Sequence, residues 1–218
     1  MKSRKLQDKL RFHFPFTPTK EQDELFTDIA DFVGTIGNRS IFMLKGYAGT
    51  GKTTLVSTLV KSLPVLGKRS VLMAPTGRAA KVMSTYSKFS ARTIHKQIYY
   101  PKPETGGKMQ FQLKVNKSRK TIFIIDEASM IGDDRENAKL FENGSLLHDV
   151  VQYVSTGDQC KLIFVGDPAQ LPPVHLNISP ALDLEELTQF HFDKVYSIQL
   201  DAVVRQAQGS GILHNATL

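Results

Sequence analysis

The sequence predicts an α/β protein built on a central parallel β-sheet. Three observations predict it. Short apolar runs recur at 41–44, 71–74, 121–125, 162–165 and 195–200, the length of strands buried on both faces. Stretches with apolar residues at helical spacing lie between several of them, and strands alternating with helices run parallel. A glycine-rich segment, Gly46-Tyr47-Ala48-Gly49-Thr50-Gly51-Lys52-Thr53-Thr54, sits between the first run and a helical pattern.

Taken from the N-terminus, residues 1–16 are expected to form a mobile basic arm. A helix is predicted to open at Thr17, with Pro18 at its first position and Glu21, Asp23 and Glu24 at its positive end. Leu25, Phe26, Ile29, Phe32 and Val33 fall on one face of it, and Gly34 stops it. After the glycine-rich segment, Leu55, Val56, Leu59, Val60 and Leu63 form a second stripe that ends at Pro64. Residues 98–120 break the alternation. Tyr99, Tyr100, two prolines and Gly106-Gly107 lead into a stretch where Phe111, Leu113 and Val115 alternate with polar residues. That pattern predicts a β-hairpin projecting from the sheet. Tyr99, Tyr100 and Phe111 are either the hairpin's own small core or platforms for stacking bases. The chain has no internal repeat and no low-complexity tract.

At 218 residues the chain suffices for one large or two small domains. An apolar content of 41% is ordinary, and no apolar run approaches the roughly 20 residues of a membrane helix. The start, Met1-Lys2-Ser3-Arg4-Lys5, lacks the apolar stretch of a signal peptide. A cytoplasmic protein without a membrane partner is the expectation. The single cysteine, Cys160, excludes an intramolecular disulfide and a multi-cysteine metal site, and is expected to pack beside Leu162 and Phe164. The net charge of +7 conceals an asymmetry. Residues 1–120 hold 23 Lys and Arg against 7 Asp and Glu, whereas residues 121–218 hold 5 against 14. No acid occurs from Phe32 to Pro103, where 12 basic residues do. Such a stretch favours a polyanion, and nucleic acid fits best.

The glycine-rich segment matches G-x-x-x-x-G-K-[ST]. Its glycines let successive N–H groups turn inward on phosphate oxygens, and the helix that follows adds its N-terminal dipole. Gly46, Ala48, Gly49, Thr50, Gly51, Lys52, Thr53 and Thr54 are therefore candidate nucleotide-binding residues. Lys52 supplies charge to the β- and γ-phosphates, and the Thr53 hydroxyl is a candidate Mg²⁺ ligand. The strand 121–125 ends in Asp126-Glu127: Asp126 is the second candidate Mg²⁺ ligand, and Glu127 can orient and deprotonate a water. A third strand end, 165–173, places Gln170 where it can reach a γ-phosphate or its water. Thr76, Thr93 and His95 lie just beyond strand ends in the acid-free stretch, where short polar donors suit DNA phosphates. As an isolated residue His95 reads as a surface histidine.

With these motifs the chain resembles the superfamily 1B DNA helicases of the RecD and Dda type. Gln22 in Thr17-Pro18-Thr19-Lys20-Glu21-Gln22 looks like the family's adenine-reading glutamine. Residues 46–53 are similar to helicase motif I, Ala74-Pro75-Thr76-Gly77-Arg78-Ala79-Ala80 to motif Ia, and Ala91-Arg92-Thr93-Ile94-His95 to motif Ib. Asp126-Glu127-Ala128-Ser129-Met130 resembles motif II, 166–172 motif III, and Leu200-Asp201-Ala202-Val203-Val204-Arg205-Gln206 motif IV. The resemblance implies a RecA-like P-loop NTPase domain over 17–97 and 121–218, with a hairpin insert at 98–120. It implies ATP and Mg²⁺ as cofactors, Lys52, Glu127, Gln170 and Arg205 as catalytic residues, and Pro75, Thr76, Arg78, Thr93 and His95 as contacts to single-stranded DNA. A monomer that unwinds DNA with 5′→3′ polarity is the implied parent. The family's second RecA-like domain, with motifs V and VI, has no counterpart here. The expectation is an N-terminal piece of a longer protein, unable to unwind DNA alone. Two rivals stand beside this reading: a phosphate-loop ATPase that never unwinds nucleic acid, and a non-catalytic module that docks on DNA or a partner. A nucleotide kinase would carry arginines in a lid near its C-terminus, and only Arg205 follows Arg135.

Overall fold

The computed structural model describes residues 2–37, 40–103, 109–132, 145–170 and 178–202. In chain order the strands are β1 (Ser40–Gly46), β2 (Arg69–Ala74), β3 (Ala91–Thr93), β4 (Tyr99–Pro103), β5 (Met109–Leu113), β6 (Thr121–Ile125), β7 (Lys161–Gly166) and β8 (Lys194–Leu200). The helices are α1 (Lys2–His13), α2 (Lys20–Gly34), α3 (Lys52–Ser62), α4 (Gly77–Ser87), α5 (Ile94–Ile98), α6 (Leu146–Ser155) and α7 (Leu184–Thr188). Six strands form one parallel sheet in the order β3-β2-β6-β7-β1-β8, and β4 pairs with β5 as a separate antiparallel hairpin. The parallel sheet and the hairpin are as the sequence predicts.

The register brings the strands out level at their carboxyl ends. Arg92, Met73, Ile125, Phe164, Met43 and Ser197 form one row across the sheet. Residues just downstream of that row therefore gather along one edge, where open α/β sheets bind ligands. Alternate side chains of each strand enter different cores. Phe42, Leu44, Ile122 and Ile124 pack under α1, α2, α3 and Met83 of α4. Ile41, Met43, Phe123 and Ile125 pack against α5, α6 and Leu187 of α7. Covering on both faces is why β6 and β7 are buried at every position and carry apolar runs over 122–125 and 162–165.

The N-terminal residues are not a mobile arm. Leu6, Leu10 and Phe14 recur every four residues, and α1 buries all three against the α2 and α3 side of the core. Three polar contacts fasten α1 to α2: Ser3 Oγ donates to Asp31 (2.6 Å), Gln7 to Thr27 (2.6 Å), and the Arg11 guanidinium grips both oxygens of Asp23 (2.6 and 2.9 Å). Helix α2 also opens later than Thr17. Its N-cap is Thr19, whose hydroxyl accepts from the Gln22 backbone while the Gln22 side chain accepts from the Thr19 backbone. That reciprocal box fixes the start and leaves Pro18 outside the helix. The helix ends at Gly34 as predicted.

The hairpin is stitched to the body at its root. Tyr99 is buried and its hydroxyl donates to Asp149 of α6 at 2.6 Å. Asn116 Nδ2 donates to the Tyr153 carbonyl, and Lys114 Nζ to that of Lys96. Phe111 packs against the same core. Tyr100 instead is 60% exposed, with the Lys114 amine 5.0 Å from its ring centre. The choice left open by the sequence thus divides: Tyr99 and Phe111 belong to the core, Tyr100 to the surface.

At the opposite edge of the sheet, Lys161 opens β7 and is 1% exposed. Its amine donates to the Phe32 carbonyl in the last turn of α2 and lies over the Phe32 ring. Helix α2 has no basic residue of its own in that turn, so β7 supplies the cation at its negative end. Burial, and then Lys68, push the amine down to about 8. Cys160 is buried as expected, and burial pushes its thiol up, away from reactivity.

Candidate nucleotide site

The loop between β1 and α3 is shaped by its glycines. Gly49 and Gly51 have φ of 85° and 91°, left-handed values that side chains resist. Gly46 has no room for a side chain, since a Cβ there would lie 2.6 Å from Thr50 Oγ1 and 3.2 Å from Leu200. Thr50 is buried and braces the turn, its hydroxyl donating to the Tyr47 carbonyl at 2.9 Å. Gln22 reaches the loop from α2 and donates to the Thr50 carbonyl at 3.4 Å. Ala48, Gly49 and Thr53 face solvent, and Thr54 is half-buried in the first turn of α3.

Lys52 curls back over this loop. Its amine donates to the carbonyls of Gly46 (2.5 Å) and Tyr47 (2.8 Å) and stands 3.8 Å from Asp167 Oδ2. Burial pushes the amine's pKa down, while Asp167, then Asp126 and Glu127, pull it up. Asp167 is the acid in direct reach of the ammonium group. Parallel pairing explains the convergence: β7 lies between β1 and β6, so Asp167 and Asp126 emerge beside the loop from neighbouring strand ends.

The Asp126 backbone continues the sheet ladder to Met73. Its Oδ1 accepts the Glu127 N–H at 3.0 Å, and its Oδ2 accepts the Tyr86 hydroxyl at 2.7 Å. Glu127 has φ 55° and ψ 37°, a left-handed conformation uncommon outside glycine. It turns the chain into a short 3₁₀ segment, Ala128–Met130, which carries Ser129. Ser129 Oγ donates to Gln170 Oε1 at 2.7 Å, and the Gln170 backbone returns to the Asp167 carbonyl. Of the predicted catalytic residues, Lys52, Glu127 and Gln170 therefore meet at one edge. Arg205 lies outside the described residues. Sequence reasoning missed three participants. Asp167 stands in the segment chosen for Gln170, and a strand-end acid facing a loop lysine was the available signal. Ser129 and Tyr86 gave none, because their partners lie 41 and 40 positions away.

Farther along the same edge, Thr76 is the N-cap of α4 and Thr93 the N-cap of α5. Each hydroxyl accepts a backbone N–H at 3.2 Å and keeps its own proton to donate. Pro75 is half-buried and Arg78 exposed. The His95 ring is half-buried against Tyr99 (5.7 Å) and Phe111 (5.3 Å), and burial lowers its pKa.

Among the described residues, no three His, Cys, Asp or Glu side chains gather into a metal cluster. The hydroxyl of Thr53 and the carboxylate of Asp126 offer hard oxygen donors at the loop. Mg²⁺ suits such a pair, because it takes few protein ligands and completes its shell with phosphates and water. No helix among the described residues is long and apolar enough to cross a membrane.

A glycine-rich phosphate loop after β1, an acidic pair after β6 and a strand between them define a phosphate-loop NTPase domain. The chain belongs to the AAA domain family, whose profile matches residues 19–216. It is 28% identical over 200 residues to the ATP-dependent RecD2 DNA helicase of Deinococcus radiodurans, covering 91% of this chain and 24% of that protein. It is 31% identical over 134 residues to the ATP-dependent DNA helicase dda of Enterobacteria phage T4, covering 60% of this chain and 28% of that one. A crystal structure of Pif1 helicase from Candida albicans aligns with a TM-score of 0.48 at 18% identity, covering 91% of this chain and 43% of that chain. The resemblance to the RecD and Dda type holds. The chain spans about a quarter of the length of those two curated relatives.

Proposed function

We propose that this chain is the ATP-hydrolysing lobe of a DNA helicase, which couples ATP turnover to movement along single-stranded DNA with 5′→3′ polarity. The Lys52 amine lying over the glycine-shaped loop, 3.8 Å from Asp167, with the Asp126-Glu127 strand end on the neighbouring strand, carries the reading. That amine now bonds to loop carbonyls, which a bound phosphate can replace. On this reading Lys52 leaves Gly46 and Tyr47 to meet the β- and γ-phosphates. The backbone of Gly46, Ala48, Gly49, Thr50 and Gly51 wraps the phosphates, with Thr54 behind it. Thr53 and Asp126 would hold Mg²⁺, which would supply charge to neutralise the phosphates. Glu127 orients the attacking water and accepts its proton. Gln170, steadied by Ser129, senses the γ-phosphate, and Arg205 stabilises the charge that develops there. Gln22 reads the base from α2. Pro75, Thr76, Arg78, Thr93 and His95 line the path for DNA, and Tyr100 offers a stacking face beside it. The hairpin over 98–120 is the insert, and the monomer is the working unit. The test is ATP turnover in Mg²⁺ by this chain, and by the longest product of its reading frame, with and without a single-stranded oligonucleotide. Stimulation of the longer product supports the reading; turnover indifferent to DNA in both turns it to an ATPase that does not unwind.

A further inference from the structure

Tyr86 is left over from the roles assigned above, yet its hydroxyl touches the acid that the proposed mechanism relies on. It lies in the last turn of α4, with its ring half-buried against the α3 side of the core. The hydroxyl donates to Asp126 Oδ2 at 2.7 Å, while the Glu127 N–H occupies Oδ1 at 3.0 Å. A carboxylate at a strand end can otherwise swing about its terminal torsion, which is broad and lacks deep wells. With a donor on each oxygen the plane is fixed, and each oxygen keeps a lone pair for a further partner.

We infer that Tyr86 is the positioning residue of the Asp126 carboxylate, holding it oriented for a divalent cation that arrives with nucleotide. The inference rests on the reading of Asp126 as the cation's ligand. The phenol suits the task because its ring is held in the core while its hydroxyl reaches the carboxylate. Partners that orient a ligand in this way commonly contribute tenfold or more to metal affinity. Tyr86 also sits in the helix whose N-cap is Thr76, so one 11-residue element reaches from the proposed DNA path to this carboxylate.

The experiment compares wild type, Tyr86→Phe and Asp126→Asn by ATP titration, first in EDTA and then with rising Mg²⁺. Tyr86→Phe removes one oxygen and keeps the ring. Its metal-free ATP affinity is expected within about twofold of wild type, while the Mg²⁺ concentration giving half of the affinity gain rises about tenfold. Asp126→Asn is expected to abolish the gain. If Asp126→Asn keeps the full Mg²⁺ response, the reading of Asp126 falls. If Asp126→Asn loses the response and Tyr86→Phe retains it unchanged, Asp126 stands and the role of Tyr86 is overturned. A Tyr86→Phe variant that loses metal-free affinity and melting temperature together is also contrary, since the hydroxyl would then hold the fold rather than the cation site.

Discussion

Replacing Lys161 by methionine should remove a pH dependence that the wild-type fold carries. The amine is 1% exposed, and its pKa falls from 10.5 to about 8 on folding. A depressed amine pKa means the folded state resists protonation. Between about 8 and 10.5 the unfolded chain binds a proton that the folded chain does not, so stability rises with pH across that window. Below 8 both states are charged and the full cost is present. At ~1.4 kcal/mol per pKa unit the shift corresponds to about 3 kcal/mol. Methionine matches the stem in volume and removes the charge, at the loss of the bond to the Phe32 carbonyl, about 1–3 kcal/mol if left unpaired. The two effects oppose each other at pH 7, so the absolute change there is small. The informative quantity is the difference between wild type and Lys161→Met, followed by urea denaturation at pH 7, 9 and 10.5. It should move by about 3 kcal/mol in favour of wild type as pH rises. A difference flat across that range would refute a strained, charged amine at this position.

Three further outcomes follow from the site. Lys52→Ala should weaken ATP binding by about 2–5 kcal/mol, because a charge set against phosphates is lost; unchanged affinity by calorimetry would reject the loop as the site. Glu127→Gln should retain ATP binding and lose turnover in the longest reading-frame product, since shape persists without the basic carboxylate; hydrolysis near the wild-type rate would reduce Glu127 to a strand-end acid. Arg78→Ala should weaken oligonucleotide binding and lower the slope of log affinity against log salt by about 1, with ATP affinity intact. A slope equal to wild type would move the DNA path off α4.

Much of the fold was legible because the parallel sheet is covered on both faces. β6, which the sequence shows as Thr-Ile-Phe-Ile-Ile, could be nothing but a buried strand. Strand order was not legible, since the placement of β7 between β1 and β6 depends on which crossovers pack, a tertiary matter. For α1 the lysines and arginines drew attention from Leu6, Leu10 and Phe14, whose spacing already carried a buried face. The start of α2 turned on Thr19 and Gln22, a better signal than the neighbouring Pro18. At the site, Lys52, Asp126, Glu127 and Gln170 were legible because loops at strand ends leave short motifs. Asp167 ends a strand in the same way and could have been read with them; Tyr86 and Ser129 could not, because they act through contacts made only when distant turns meet.

Helix α1 separates two notions of a domain. The match to the family profile begins at residue 19. The folding unit begins earlier, because Leu6 and Leu10 complete the core that contains Leu25, Phe26 and Leu59. Cutting the chain at the profile boundary would strip a layer from that core and strand Asp23 and Asp31 without their partners. A piece that starts at residue 19 would keep the residues of the nucleotide loop and lay bare the flank that α1 covers.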